Sequence, residues 1–566
     1  MQYTGAQILI ESLIEQGVDT IFGYPGASVL HIYDELYRHK DKIRHILVSH
    51  EQHAAHAADG YARSSGKVGV CLATSGPGAT NLVTGIATAA MDSIPIVAIT
   101  GNVSVPLLGK DSFQEVDITG ITMPIVKHNW IVKSVDELAG VIREAFVVAR
   151  SGRPGPVLID IPKDVSTAMC EWPMPGSEIA SEAARRYSER SNRQTFTEAE
   201  IDEAVRMICE SRKPVLYAGG GVKISIACDE LYRLAEILNA PVAMSLMGLG
   251  SFPHDHRLCT GMIGMHGTVA SNKAVQNSDL LIALGARFSD RVTSQVEKFA
   301  HHAKILHIDI DPAELNKNIS SNLSISGDLK TVLTRILRKL PEKIETGWSD
   351  EIEKWKNIVP RDYRRDSGLH PYFIIRKTAE ALGKTAIAVT DVGQHQIWTA
   401  QFYPFQSPRS FLTSGGMGAM GFGLGAAMGA KLANPRSPVV LFTGDGCFRM
   451  NCAEMATLVY YKIPVLIVIF NNRVLGMVRQ WQKIFYGARY SQTVLEGRGP
   501  DFVKLADAYG VCGYRADSES AFVSALESAC SQLSAGKPAL IEVHIGKDER
   551  VLPMVPGGTP IDEQIM

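Results

Sequence analysis

Short motifs in the last third of the sequence place oxygen donors and glycines at the ends of apolar runs. The run 439–443 leads into Gly444-Asp445-Gly446, and after 24 intervening residues (447–470) the run 465–470 ends at Asn471-Asn472. Read as parallel strands, both runs end at the edge where open α/β sheets bind ligands. A carboxylate and an amide would converge there, beside glycines that let backbone approach a phosphate. Such hard donors suit Mg²⁺, which usually shares its coordination with phosphate oxygens. Either motif alone reads as an ordinary turn, but the two together, each after a strand, point to a metal–phosphate site. Val392-Gly393-Gln394-His395-Gln396 follows a further run at 386–390, and the glycine-rich stretch 414–425 opens a helix-like segment. Free N–H groups at a helix start favour an anion, and diphosphate is the matching one. Close helix packing is the competing reading of the glycines.

A second carboxylate stands far away in the sequence. The run 43–48 leads into Ser49-His50-Glu51-Gln52-His53-Ala54-Ala55-His56, and alanines continue the segment. This is a helix that packs closely on its neighbours, with Glu51 in its first turn. Acidic residues are favoured at helix starts for dipole reasons alone, so the position by itself does not make a catalytic group. The dipole lowers a carboxylate pKa and burial raises it; proton exchange near neutral pH needs burial to dominate.

These motifs require a scaffold of buried parallel strands. Apolar runs at 43–48, 68–73, 94–100 and 157–161 alternate with helical segments in a first block. Runs at 215–218, 280–284 and 305–310 mark a second, and 386–390, 439–443, 465–470 and 539–543 a third. Polar stretches at 176–200 and 341–371 separate them. The expected fold class is therefore α/β, with three tandem doubly wound parallel-sheet domains at 1–175, 190–335 and 365–566. The 566 residues suit that number of domains. Lys plus Arg count 57 against 59 Asp plus Glu, so no basic excess exists to neutralise a nucleic acid. Nine cysteines without a C-x-x-C pair read as reduced thiols, not as disulfides or a zinc site. No apolar stretch reaches the ~18 residues of a membrane span. Met1 leads directly into a helical pattern at 4–16 without a basic leader, and a cytoplasmic protein is expected.

Gly444-Asp445-Gly446 followed by Asn471-Asn472 resembles the signature of thiamin diphosphate enzymes, and the Glu51 segment resembles their catalytic glutamate motif. The likeness runs from Tyr24-Pro-Gly-Ala-Ser to Pro553-Met-Val-Pro-Gly and is greatest to the acetolactate (acetohydroxyacid) synthase family of catalytic large subunits. Thr74-Ser-Gly-Pro-Gly-Ala-Thr-Asn81, Gly109-Lys-Asp-Ser-Phe-Gln-Glu115, Gly264-Met-His-Gly267, Gly285-Ala-Arg-Phe-Ser-Asp-Arg291 and the Val-Arg-Gln-Trp-Gln run ending at Gln482 carry it. The resemblance implies a thiamin diphosphate-binding fold with a central Rossmann-like FAD domain. It implies Asp445, Asn472 and the Val474 carbonyl as Mg²⁺ ligands, and Gln394, His395 and Gly446 on the diphosphate side. Gly418 and Met420 would meet the bent cofactor, and Glu51 would exchange a proton with its pyrimidine ring. Phe113, Gln114 and Lys163 would border the reaction chamber, while Arg287 and Trp481 orient the second substrate. FAD, structural and without net redox work, would rest on Arg153, Gly219, Gly220, Gly221, Met265, His266, Arg287, Asp309 and Asp328.

The implied reaction decarboxylates pyruvate and transfers a hydroxyethyl unit to a second 2-keto acid, pyruvate or 2-ketobutyrate, in branched-chain amino acid biosynthesis. The resemblance further implies a homodimer or homotetramer, with the glutamate of one chain facing the diphosphate site of another, and leaves room for a small regulatory subunit. The segment 547–566 reads as a cover that keeps water out. Ser289 stands where the family usually has Asp, Gly425 where it has Pro, and Cys447 and Arg449 replace Ser and Gln. A carboligase acting on another carbonyl such as a keto sugar, a pyruvate oxidase, and a non-catalytic cofactor-binding scaffold are the alternatives.

Overall fold

The computed structural model describes residues 2–171, 195–358 and 369–566. The domain boundaries expected at 175, 190 and 365 lie outside the described residues. Three six-stranded sheets, each parallel throughout, form three α/β domains along the chain.

The amino-terminal sheet has the order Arg44–Leu47, Thr20–Gly23, Gly69–Ala73, Ile96–Asn102, Val157–Pro162, His128–Ile131. The carboxy-terminal sheet has the order Phe411–Leu412, Ile387–Thr390, Val439–Gly444, Val465–Asn471, Ala539–His544, Cys512–Ala516. Ranked by position in the chain, both orders read 2-1-3-4-6-5, so the two outer domains share one topology. The central sheet runs Cys259–Met262, Val242–Met244, Pro214–Ala218, Leu280–Leu284, Lys304–Asp309, Leu323–Ser326. That is the 3-2-1-4-5-6 order of dinucleotide-binding domains.

Central strands such as Val439–Gly444 and Gly69–Ala73 are buried along their whole length. Helices cover both faces, so these strands read as unbroken apolar runs. Strands that the sequence pattern does not single out are short or lie at edges, such as Phe411–Leu412 and the partly exposed His128–Ile131. The helical pattern at 4–16 is the helix Gly5–Glu15, started by a capping box in which Thr4 and Gln7 satisfy each other's backbone N–H.

The outer domains meet through the helices Glu51–Ser65 and Gly423–Ala433. Their backbones nearly touch: a Cβ at Gly60 would fall 2.1 Å from the Ala426 carbonyl oxygen, and one at Gly429 would fall 1.9 Å from that of Ala57. Only glycine permits this approach. Arg63, at the far end of the first helix, is buried and donates to Asp59 at 2.6 Å and to Asp92 at 3.0 Å. Asp92 also accepts the backbone N–H groups of Gly415 and Gly416 at 3.0 and 2.8 Å. An amino-domain ion-pair cluster therefore fixes the start of the glycine-rich loop in the carboxy domain.

Candidate active site

The strand order of each outer sheet reverses between its first and third strands, opening a crevice at their carboxyl ends. In the carboxy domain those strands are Ile387–Thr390 and Val439–Gly444, and the next residues are Asp391 and Asp445. Asp445 is buried, and burial pushes its carboxyl up to about 7 although backbone N–H groups, including that of Arg473, donate to it. Asn472 lies beside it, its side-chain oxygen accepting from the Val474 N–H at 3.1 Å and its amide N–H reaching Gln394 Oε1 at 3.3 Å. Among the described residues no group of three or more His, Cys, Asp or Glu could hold a metal. The Asp445 carboxylate and the Asn472 amide offer oxygen donors, which fit Mg²⁺ bound jointly with phosphate and do not fit zinc.

Gln394 and His395 open the helix Gln394–Phe402 after Gly393 at φ +149°. The His395 ring is buried between Gly393 and Gly444, its Nε2 has no partner, and burial drives its pKa down to about 3. An unpartnered buried nitrogen at this crevice fits a phosphate neighbour. Asp391, which the sequence reading passes over, holds the far wall. It accepts from the N–H groups of Gly421 at 2.8 Å and Gly423 at 3.3 Å and from Asn451 Nδ2 at 3.3 Å. Met420 is placed with its Cε 3.8 Å from the Cβ direction of Gly446, and Gly418 takes φ +64°.

Cys447 donates its thiol to the Val392 carbonyl at 3.0 Å, so the departure at this position is a buried structural contact. Gly425 sits against the amino-domain helix, where a Cβ would meet the His53 carbonyl oxygen and His56 Cβ at 3.0 Å. Nothing in the structure explains Arg449, which is exposed.

In the amino domain the equivalent crevice opens between Thr20–Gly23 and Gly69–Ala73. Glu51 starts its helix at this end and turns toward its own domain: Oε2 accepts from Asn81 Nδ2 at 2.9 Å, and Oε1 lies 3.3 Å from the Cβ direction of Gly78. It is Gln52, one residue on, that faces Gly421 of the carboxy domain, at 3.9 Å. Gln114 takes φ +58°, with its carbonyl packed on Gly76, and Phe113 beside it is 88% exposed. Lys163 is exposed at the start of the helix Lys163–Thr167.

A cleft of ≈1780 Å³ lies where the amino, central and carboxy domains meet. Arg153, Gly219, Gly220, Gly221, Met265, His266, Arg287, Asp309 and Asp328 line it together with Gly418 and Trp481. The loop Gly219–Gly221 and Gly285 meet at the reversal point of the central sheet, with Gly219 N donating to Leu284 O at 2.9 Å and Gly221 N to Gly285 O at 3.1 Å. Burial pushes Asp309 up to about 6. Asp328 caps the helix Leu329–Lys339 through the Thr331 N–H at 2.9 Å, and Arg153 pairs with Asp311 and Glu314 at 3.1 and 2.8 Å. A long cleft across a sheet of this order, with carboxylates at two strand ends, fits a dinucleotide. No carboxylate pairs with Arg287 among the described residues, so its guanidinium is open to a ligand's carboxylate.

The expected chamber is not assembled within one chain. Arg287 and Trp481 share the cleft, whereas Glu51, Phe113, Gln114 and Lys163 are absent from its lining. The segment 547–566, expected as a cover, does not line this cleft and is tied down as a strap. Val555 N donates to Met265 O at 2.8 Å, Gln480 Nε2 to Val551 O at 3.2 Å and Asn272 Nδ2 to Ile561 O at 2.7 Å, and Val551, Met554, Val555 and Ile561 are buried.

Residues 3–121, 201–336 and 391–543 match, in turn, the N-terminal TPP binding domain, the central domain and the C-terminal TPP binding domain of thiamine pyrophosphate enzymes. The acetolactate synthase of Mycobacterium bovis is 49% identical over 99% of this chain and 91% of its own length. The probable acetolactate synthase large subunit of Methanocaldococcus jannaschii is 48% identical over 98% of this chain and 94% of its own. The chain belongs to the acetolactate synthase large-subunit family of thiamine pyrophosphate enzymes. The large subunit of Corynebacterium glutamicum, at 47% identity over 98% of this chain, stands with them. Within this acetolactate synthase family fold, two thiamine pyrophosphate-binding domains of one topology flank a central domain. No helix of the described residues is long and apolar enough to cross a membrane.

Proposed function

We propose that the chain catalyses the acetolactate synthase reaction, in which pyruvate loses CO₂ and its remaining two-carbon unit joins a second 2-keto acid, pyruvate or 2-ketobutyrate. Thiamin diphosphate, when bound, supplies the electron sink for decarboxylation. The observation that carries this reading is the pair of topologically equivalent crevices, one presenting Glu51 and the other Asp445, Asn472 and Val474.

Asp445, Asn472 and the Val474 carbonyl hold Mg²⁺, with Gln394, His395 and Gly446 on the diphosphate side. Gly418 and Met420 contact the rings. Glu51 holds and returns a proton at its carboxylate, a contribution of ~10²–10⁴ in rate for general acid–base groups. Arg287 receives the carboxylate of the second keto acid, and Trp481 forms a wall that discriminates one methylene by ~1–3 kcal/mol. Phe113, Gln114 and Lys163 border the chamber.

FAD occupies the cleft on Arg153, Gly219, Gly220, Gly221, Met265, His266, Arg287, Asp309 and Asp328, with a structural role. The separation of the Glu51 group from the cleft, and the exposure of Phe113, support a chamber completed by a second copy of the chain, in a homodimer or homotetramer. The large-subunit names of two relatives support a small-subunit partner. Nine free cysteines suit a reducing, cytoplasmic setting.

The test supplies thiamin diphosphate, Mg²⁺ and FAD, feeds pyruvate with and without 2-ketobutyrate, and identifies the carbon products. Acetolactate, with acetohydroxybutyrate when 2-ketobutyrate is added, is the expected result. Acetaldehyde alone, acetyl phosphate, or no CO₂ would overturn the proposal.

A further inference from the structure

Glu454 ends the short turn Cys452–Glu454 in the carboxy domain, and its side chain is fully buried against the amino domain. Its Oε1 accepts three hydrogen bonds: from the backbone N–H of Ser49 at 2.9 Å, from that of His50 at 3.2 Å, and from His53 Nδ1 at 2.9 Å. Its Oε2 accepts from the Thr457 hydroxyl at 2.7 Å. Two further bonds dock the same segment: Ser49 Oγ donates to the Ala453 carbonyl at 3.1 Å, and Leu47 N donates to Tyr461 Oη at 2.9 Å.

Ser49 and His50 are the two residues immediately before Glu51. His50 is the helix N-cap, its Nδ1 accepting from the Gln52 N–H at 3.1 Å, and His53 lies in the first turn. The direction in which the Glu51 side chain leaves the helix follows from the backbone of these residues. Local capping satisfies only one N–H here, and the donors at 49 and 50 are held by a carboxylate from another domain. A buried acceptor with four donors has one geometry, so it fixes what it holds.

The same stretch begins with Asp445, in the helix Asp445–Phe448, and passes through Asn451, whose Nδ2 donates to Asp391 Oδ2 and to the Gly421 carbonyl. One run of ten residues, 445–454, therefore links the carboxy-domain crevice to the start of the helix that bears Glu51.

We infer that Glu454 is a positioning residue for Glu51, setting its pose through the N–H groups of Ser49 and His50 and the ring of His53. This rests on the proposed role of Glu51 in proton exchange.

The experiment compares the full chain with Glu454→Ala, Glu454→Gln and Glu51→Gln. Without cofactor, amide hydrogen–deuterium exchange followed by mass spectrometry reads the segment 44–60. Glu454→Ala is expected to speed exchange at 49–53 at least about tenfold, leaving peptides from the helix Gln394–Phe402 unchanged, while Glu454→Gln, which keeps an acceptor oxygen, stays near wild type. With thiamin diphosphate and Mg²⁺ bound, the rate of deuterium entry at the cofactor's thiazolium C2, read by acid quench and proton NMR, is expected to fall about 10²-fold in Glu454→Ala. That is the cost of an ångström-scale misplacement. The Kd for thiamin diphosphate should stay within about threefold of wild type. Unchanged amide exchange at 49–53 would overturn the inference, as would a loss of cofactor affinity parallel to the loss of C2 exchange. If Glu51→Gln leaves C2 exchange untouched, the role of Glu51 fails, while amide exchange still decides what Glu454 holds. Should Glu454→Ala not fold, Glu454→Asp, with a reach shorter by one methylene, carries the same measurements.

Discussion

Asn81 donates its side-chain N–H to Glu51 Oε2 at 2.9 Å. Asn81 closes the short helix Pro77–Asn81, which follows the strand Gly69–Ala73, so the loop at the crevice of the amino domain holds the carboxylate on one side while Glu454 anchors the backbone beneath it on the other.

Asn81→Ala removes that donor without touching the carboxy-domain crevice. The expected result is a kcat lower by about 10- to 150-fold, from a charge-assisted hydrogen bond of ~1.5–3 kcal/mol, with the KM for thiamin diphosphate little changed. Steady-state kinetics with varied cofactor separates the two; a raised KM at constant kcat would show that Asn81 serves binding only.

Asp445→Asn takes the only carboxylate from the oxygen donors. Thermal melts of the wild-type chain should rise when Mg²⁺ and thiamin diphosphate are added together, and chelation should reverse the rise, since a ligand bound only to the folded state stabilises it. The variant should lose most of that shift. A full shift in Asp445→Asn would remove this residue from the metal site.

Gly429→Ala and Gly140→Ala make the same substitution within helices with opposite expected effects. At Gly140, in the helix Val135–Arg150, a new Cβ meets nothing within 4 Å, and the gain in helix propensity predicts ~0.5–1 kcal/mol of stabilisation. At Gly429 the Cβ would lie 1.9 Å from the Ala57 carbonyl oxygen, so the helices must separate. A destabilisation of about 1–3 kcal/mol or more is expected. Denaturant unfolding of both variants checks the signs.

His266 carries a pH dependence. Its ring is buried, its Nδ1 donates to the Pro553 carbonyl at 3.3 Å, and burial lowers its pKa from 6.5 to about 4. Between those values the unfolded chain binds more protons than the folded one, so this group's stability is present above pH 6.5 and is lost as pH falls toward 4. The slope is at most about 1.4 kcal/mol per pH unit. The difference in unfolding free energy between wild type and His266→Gln, measured from pH 7 to pH 4.5, should fall on acidification; a flat difference would show that the ring protonates freely in the folded chain.

The sequence by itself determined the longer strands that are buried on both faces and the motifs that follow them, whereas the short buried strands Thr20–Gly23 and Val242–Met244 left no run to read. Val439–Gly444 and Val465–Asn471 are legible because helices on both sides demand continuous apolar residues, and their loops are legible because parallel sheets concentrate ligand contacts at strand carboxyl ends. Edge strands such as His128–Ile131 leave a weaker trace, since one side meets solvent. Tertiary structure alone decided which distant side chains meet. Glu454 holds residues about 400 positions earlier, Asp92 holds Gly415 and Gly416, and Asp391 gathers the loop before the helix Gly423–Ala433. Glu454 and Asp92 stand in no periodic pattern or motif, because a hydrogen bond between domains constrains two points in space and leaves the residues between them free, and Asp391, although it follows a strand, meets its partners only through the fold of its own domain. The strap at 551–565 has the same origin: its Pro- and Gly-rich composition suits a cover equally well, and only the buried contacts with Met265, Asn272 and Gln480 fix where it lies.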